Sequence, residues 1–286
     1  MTEAAPGQAI QLEPLVLRIL APNPSPYTYT GTETYVVGAS DVAVIDPGPD
    51  DPAHIDALVT AIAGRPIVAI LCTHTHRDHS PASRMLKAVT GAPIIGCAPL
   101  AIDDLGPRAD ASFDRDYVPD RVLSDRETLS GEGWTIEAVA TPGHTSNHLC
   151  FALVETGALF TGDHVMGWST SVVSPPDGDM AAYLASLDRL MKREQDRIYY
   201  PAHGDPLERP QRFVRGLIGH RRQREGQIVR LLKEGPKTVP QMVAVMYVGL
   251  DPRLFGAAGR SVLAHLIDLN ARRIVAQDGE LWRTLG

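Results

Sequence analysis

The stretch LCTHTHRDHSP, residues 71–81, sets three histidines and one aspartate into six consecutive positions, in a chain with ten histidines in all. Imidazoles and a carboxylate gathered this closely suit a metal ion. Extended residues alternate faces, so His74 and His76 point the same way. Asp78 and His79, where the chain turns toward a helix, then address a second position close by. No cysteine lies in the loop, which excludes a cysteine-rich structural zinc finger.

One loop does not complete the coordination of two ions. Further donors stand where other apolar runs end: His144 in TPGHTSNH, Asp163 in FTGDH and His203 in YPAHGD. The set divides as His74, His76 and His144 on one ion and Asp78, His79 and His203 on the other, with Asp163 bridging. These donors suit two Zn2+, with Mn2+ or Fe2+ as alternatives. Two ions about 3.5–4 Å apart hold a bridging hydroxide near neutral pH, a nucleophile that needs no serine or cysteine. Asp78, ligating and orienting it, is the catalytic candidate. His148, His164 and Trp168 are candidate substrate contacts; for His148 bracing of the ligand loop is the simpler role, and His164 equally suits a supporting hydrogen bond. His54, His220 and His265 fall at apolar or helix-end positions and are expected to be structural.

Alternating strands and helices must carry these donors. TYVVGASDVAVIDPG has the pattern of a β-hairpin, DPAHIDALVTAIAG that of a helix, and PIVAILCT that of a buried strand leading into the histidine loop. SRMLKAVTG is a second helix and APIIGCA a buried strand. Residues 103–127 are charged and irregular. Strands resume at WTIEAVAT, LCFALVET and ALFTGD; a helix at DMAAYLASLDRLMKRE precedes the strand RIYYPAHGD. The result is a layered α/β domain with its polar residues at strand ends. PQRFVRGLIGHRRQREGQIVRLLKEG then predicts a long amphipathic helix, followed by two shorter helices and a hairpin turning at Asp278–Gly279. That is the outline of a winged helix. The division expected is a catalytic domain over 1–208 and a helical linker with a winged-helix-like domain over 209–286.

Composition excludes several classes. No apolar run approaches the ~20 residues of a membrane helix, and the N-terminus makes a poor secretory signal, so no membrane association is expected. Cys72, Cys97 and Cys150, each among aliphatics, argue for buried reduced thiols and a cytoplasmic protein. Residues 205–286 hold 14 Lys and Arg against 8 Asp and Glu, whereas the preceding 204 hold 13 against 26. A basic tail can face nucleic acid. The simpler reading is an acidic catalytic domain beside a helical tail whose arginines, including those of GHRRQREGQIVR, are solvated.

The H-x-H-x-D-H motif HTHRDH, with TPGHT, TGD and PAHGD following in order, resembles the metallo-β-lactamase superfamily over roughly residues 15–205. Asp46 in VIDPG matches that family's structural aspartate, which braces the site loop. The resemblance implies an αββα sandwich with the metals at one edge. LAPNPSPYTYTGTETYVVG, SPPDGDMAAYLASLDRL and HRRQREGQIVRLL are similar to the β-lactamase-like protein 2 group, and extend the likeness over nearly the whole chain. That group implies cleavage of single-stranded RNA. Two departures stand near the motifs: Glu33 where the group has asparagine, and Pro81–Ala82 where a glycine pair often follows the metal loop.

The expectation is therefore a dinuclear-zinc hydrolase, leaning toward a single-stranded RNA endonuclease, with a thioester, lactone or other small acyl ester as the alternative substrate of a glyoxalase II-like enzyme. Against RNA stands the acidic catalytic domain. A regulator that only binds nucleic acid fits poorly, because RSVLAHLIDLNARR offers few polar groups to read bases and suits packing or a homodimer contact better.

Overall fold

A computed structural model describes residues 5–100 and 113–285. Among these, seven strands form the first sheet in chain order. β1 (Ala9–Glu13), β2 (Val16–Leu20), β3 (Glu33–Val37) and β4 (Val42–Ile45) pair antiparallel. Helix α1 (Pro52–Ile62), capped by Asp51, returns the chain so that β5 (Ile67–Cys72) lies parallel to β4. Helix α2 (Ala82–Thr90) does the same for β6 (Ile94–Gly96), and β7 (Arg121–Val122) closes the edge. The second sheet runs β12-β11-β10-β9-β8. It comprises β8 (Thr128–Gly131), β9 (Trp134–Ala140), β10 (Leu149–Leu153), β11 (Ala158–Gly162) and, after helix α3 (Met180–Met191), β12 (Ile198–Pro201). All neighbours are antiparallel except β11 and β12.

Period-two alternation sorts the second sheet's side chains between two cores. Ile136, Ala138, Phe151, Phe160 and Tyr200 face the first sheet and join its core. Val139, Cys150, Leu159 and Tyr199 face the other way and pack against α3. The layers are thus helix, sheet, sheet, helix. Polar contacts that tie the sheets include the Tyr35 hydroxyl donating to Pro201 O at 2.7 Å and Trp134 Nε1 donating to Asp41 Oδ1 at 2.8 Å.

Helix α4 (Pro210–Lys233) serves both parts of the molecule. Val214, Leu217 and Ile218 pack with α3, whereas Ile228 and Leu232 enter a separate core. That core is completed by α5 (Val239–Met246), α6 (Phe255–Ala271) and the hairpin of β13 (Val275–Asp278) and β14 (Leu281–Thr284), through Met242, Val262, Leu266, Leu269 and Trp282. Gly279 takes the positive φ of 59° that the two-residue turn requires. These are the elements of a winged helix, and no helix among the described residues is long and apolar enough to cross a membrane.

Three sequence expectations need correction. The N-terminal stretch, to which the sequence assigned no element, is the β1–β2 hairpin, and its Arg18 is buried opposite Glu33 at 3.6 Å. The irregular segment 103–127 includes the edge strand β7, and its residues 103–112 lie outside the described residues. Finally, Arg221 of the segment expected to be solvated is 3% exposed. The three cysteines are free and buried, as expected.

Candidate metal centre

Parallel pairing of β4 with β5 and of β11 with β12 brings several strand ends to one edge of the sandwich, where α/β folds build sites. The β5–α2 loop carries His74, His76, Asp78 and His79. Asp163 follows β11, His203 follows β12, and His144 sits in the β9–β10 loop. Two glycines allow the close approach. Gly162, at φ 49°, would place a Cβ 2.7–2.8 Å from Thr73 and His148, and Gly143, at φ 138°, one 2.3 Å from the α3 backbone at Tyr183.

The donors form two groups that share Asp163: His74, His76 and His144 with it on one side, Asp78, His79 and His203 with it on the other. In the first, His74 Nε2 and His144 Nε2 lie 2.9 and 3.1 Å from His76 Nδ1, and Asp163 Oδ2 is 3.6 Å from His144 Nε2. In the second, His203 Nε2 is 3.2 Å from both Asp78 Oδ2 and Asp163 Oδ1, and His79 Nε2 is 3.4 and 3.5 Å from the same two oxygens. A tetrahedral ion with donors at about 2.0–2.1 Å has edges of about 3.3–3.4 Å; the second group's spacings of 3.2 to 3.5 Å match these, and the first group's, 2.9 to 3.6 Å, lie to either side of them. His79 Nε2, His203 Nε2 and Asp163 Oδ1 are buried with no hydrogen-bond partner among the described residues, which is a costly arrangement unless a cation receives them. The residues therefore fit a pair of metal ions.

The opposite ring nitrogens explain why these lone pairs point inward. His79 Nδ1–H donates to Asp46 Oδ2 at 3.0 Å, His203 Nδ1–H to Gly31 O at 3.0 Å, and His144 Nδ1–H to Val172 O at 2.6 Å. His74 Nδ1 meets Thr73 Oγ1 at 3.0 Å, and that hydroxyl in turn donates to Asp46 Oδ2 at 2.7 Å. Each bond places the proton on the outer nitrogen and leaves Nε2 free to ligate. Asp46, at φ 48°, also accepts from Thr73 N at 2.8 Å and so holds the start of the loop. His54 Nε2–H meets Thr34 Oγ1 at 2.9 Å, and Thr34 donates to Asp46 O at 2.7 Å, a structural role as expected.

Charge is unevenly spread across the site. Burial, reinforced by neighbouring imidazoles, pushes His76 down to about 3 and His74 well below the usual histidine range. Burial opposes ionisation of His79, Asp78 and Asp163 too, but there mutual attraction wins: the carboxylates hold His79 well above its ordinary value, and His79 and His203 hold both carboxylates low. The carboxylate side thus draws positive charge, which a divalent cation can supply in place of protons.

A cavity of about 340 Å³ opens onto Asp78, His76, His144 and Asp163. Its walls include Tyr27, Pro49, Met166 and Val172, and Arg77 is the sole lysine or arginine among the described residues that line it. Of the candidate substrate contacts, Trp168 is half-exposed and stacks on Tyr29, with ring centroids 5.0 Å apart. His148 and His164 are both buried, and neither is among the described residues that line the cavity, which favours the bracing and supporting roles over substrate contact. His148 Nδ1 meets Thr141 Oγ1 at 2.9 Å with its ring 5.1 Å from that of His74, and His164 packs on Tyr183 at 4.7 Å. The Gly31 and Val172 carbonyls were not foreseen; as backbone acceptors they carry no residue-type signal. Thr73 stood in the motif but reads there as filler.

The metallo-beta-lactamase superfamily model matches residues 28–203, and the beta-lactamase associated winged helix domain model matches residues 238–282. The chain is 31% identical to the atrochrysone carboxyl ACP thioesterase dmxR1 of Cryptosporiopsis sp., over 83% of this chain and 73% of that one. It is 32% identical to the beta-lactamase-like protein 2 homolog of Drosophila melanogaster, over 89% and 87%. The structure of a beta-lactamase domain protein from Burkholderia ambifaria superposes with a TM-score of 0.80 at 20% identity, covering 99% of this chain and 95% of that one, a likeness of fold. With its paired metal-ligand groups, αββα sandwich and winged-helix tail, the chain belongs to the metallo-beta-lactamase superfamily and is a metal-dependent hydrolase.

Proposed function

We propose that the protein hydrolyses acyl thioesters at a two-zinc centre. The observation that carries this reading is the lining of the cavity: apolar walls from Tyr27, Pro49, Met166 and Val172, with Arg77 as the one lysine or arginine among the described residues that line it. An RNA strand would call for several cations to meet its phosphates. An acyl chain calls for apolar walls and tolerates the acidic catalytic domain. The thioesterase relative, at 31% identity, supports the same class.

When bound, the two ions supply Lewis acidity and a water activated near neutral pH. His74, His76 and His144 would hold one, Asp78, His79 and His203 the other, and Asp163 both. The all-nitrogen and carboxylate donor set favours zinc over manganese, with iron as the alternative. Asp78 is 26% exposed at its side chain and turns Oδ2 toward the imidazoles, so Oδ1 can accept a hydrogen bond from the attacking water and orient it. The water oxygen forms the new bond to the carbonyl carbon, the carbon–sulfur bond breaks, and the thiol leaves with a proton. The buried free cysteines support a cytoplasmic setting.

A second reading, cleavage of single-stranded RNA, is favoured by one observation: the basic winged-helix tail, together with the likeness to the beta-lactamase-like protein 2 homolog. The test compares zinc-loaded wild type with an Asp78→Ala, His79→Ala double variant on a panel of acyl thioesters and on end-labelled single-stranded RNA. Thioester hydrolysis by the wild type alone is the expected result. Cleavage of RNA by the wild type alone, with thioesters untouched, would overturn the proposal in favour of the nuclease.

A further inference from the structure

Among the described residues, the cation that helix α4 buries has no counter-ion. Arg221 is 3% exposed, and no carboxylate lies within ion-pair distance of it among the described residues. Its Nε has no hydrogen-bond partner. The guanidinium carbon lies 5.1 Å from the centroid of the Tyr183 ring, and one terminal nitrogen donates to Ser171 O. Burying an unpaired guanidinium is unfavourable, and one carbonyl and one aromatic face offset only part of that cost. A residue that did no more than fill space here would be better served by an aliphatic chain.

What Arg221 holds is the wall of the metal centre. The segment from His164 to Val172 is drawn inward at both ends. The Ser171 hydroxyl donates to His164 O at 2.9 Å, and the Tyr183 hydroxyl donates to the same oxygen at 3.1 Å. Val172, the residue after the one that Arg221 grips, presents the carbonyl that receives His144 Nδ1–H at 2.6 Å. Met166 and Val172 of this segment also line the cavity. From α6, Arg260 reaches Pro175 O at 3.2 Å, just beyond it.

We infer that Arg221 is a positioning residue for the metal centre: by fixing the carbonyl of Ser171 it sets the place of the adjacent Val172 carbonyl, which orients His144 toward the ion shared with His74 and His76. This rests on the two-ion reading of the site. It gives the helix leading into the winged-helix domain a part in building the catalytic centre, separate from any contact with a macromolecule.

The experiment titrates zinc into the full-length, metal-stripped protein against a chromophoric chelator, for wild type, Arg221→Met, Arg221→Lys and the exposed-site control Arg222→Met, with a thermal melt of each. Loss of a group that orients a ligating histidine lowers metal affinity on the order of 10- to 100-fold. Arg221→Met should weaken one of the two binding steps by about that factor and leave the other as in wild type. Arg221→Lys, which keeps the charge and a donor, should recover part of the loss, and Arg222→Met should match wild type. Two steps weakened in parallel, or neither, would overturn the proposal. If Arg221→Met fails to fold, Arg221→Lys decides: equal affinity for both ions despite an unchanged melt would overturn it as well. A wild type that binds fewer than two ions would instead remove the two-ion reading itself, and this inference with it.

Discussion

Asp46→Asn is the substitution that tests the construction of the site most directly. Asparagine is nearly the same size and tolerates positive φ as aspartate does, so the backbone at φ 48° can stay in place. What changes is the character of one atom. Asp46 Oδ1 accepts from Thr73 N at 2.8 Å, and Oδ2 accepts from Thr73 Oγ1 and His79 Nδ1. If the amide oxygen keeps the Thr73 N bond, the NH2 group faces two donors. His79 can then relieve the clash only by moving its proton to Nε2, the nitrogen that should ligate, or by rotating away. Either way the ion on Asp78, His79 and His203 loses a ligand in its proper tautomer. Removing such a support weakens metal binding by 10- to 100-fold, or about 1.4–2.7 kcal/mol. The measurement is zinc stoichiometry and affinity by competition, with Asp46→Ala alongside. The expected result is one weakened step, on the side of His79, with the His74, His76 and His144 ion closer to wild type. Asp46→Asn binding two zinc ions with wild-type affinity would refute the claim that tautomer control by Asp46 builds the site.

Other consequences can be checked on the same protein. Burial, opposed in part by Arg18, raises Glu33 from 4.5 to about 7, so folding favours its neutral form. That contribution is complete below the unfolded value and is lost as pH rises through about 7, amounting to about 3 kcal/mol over the interval. Urea unfolding of metal-free Glu33→Gln should therefore lose less stability than wild type between about pH 5 and 8; parallel curves would contradict the assignment. Chelation should lower the melting temperature, because an ion bound only by the folded state at 100 times its Kd contributes about 2.7 kcal/mol; identical melts with and without zinc would count against the site. Leu266→Ala, in the winged-helix core, should cost about 2–5 kcal/mol of that domain's stability by denaturant unfolding, whereas the solvent-facing Ile267→Ala should cost far less.

The ligand set could be found in the sequence because metal chemistry restricts residue type. Few side chains can ligate zinc, and His74, His76, Asp78 and His79 stand on one loop, where order along the chain already implies proximity. His144, Asp163 and His203 were legible because each follows an apolar strand. Most strands and helices were readable for a related reason, since alternation and helical spacing are local properties. The β1–β2 hairpin was not, because Arg18 breaks the apolar pattern and only its burial opposite Glu33 explains it. Tertiary structure alone decided the rest. Which nitrogen of His203 and of His144 faces the metal depends on the carbonyls of Gly31 and Val172, which any residue could have supplied. His148 and His164 share the motif's residue type, yet packing places them behind the ligands. Arg221 sits among arginines of the same helix that face water, and nothing in its neighbours distinguishes it. Sequence specifies which atoms can bind a metal; folding specifies the direction in which their lone pairs point, because that direction depends on contacts between residues far apart in the chain.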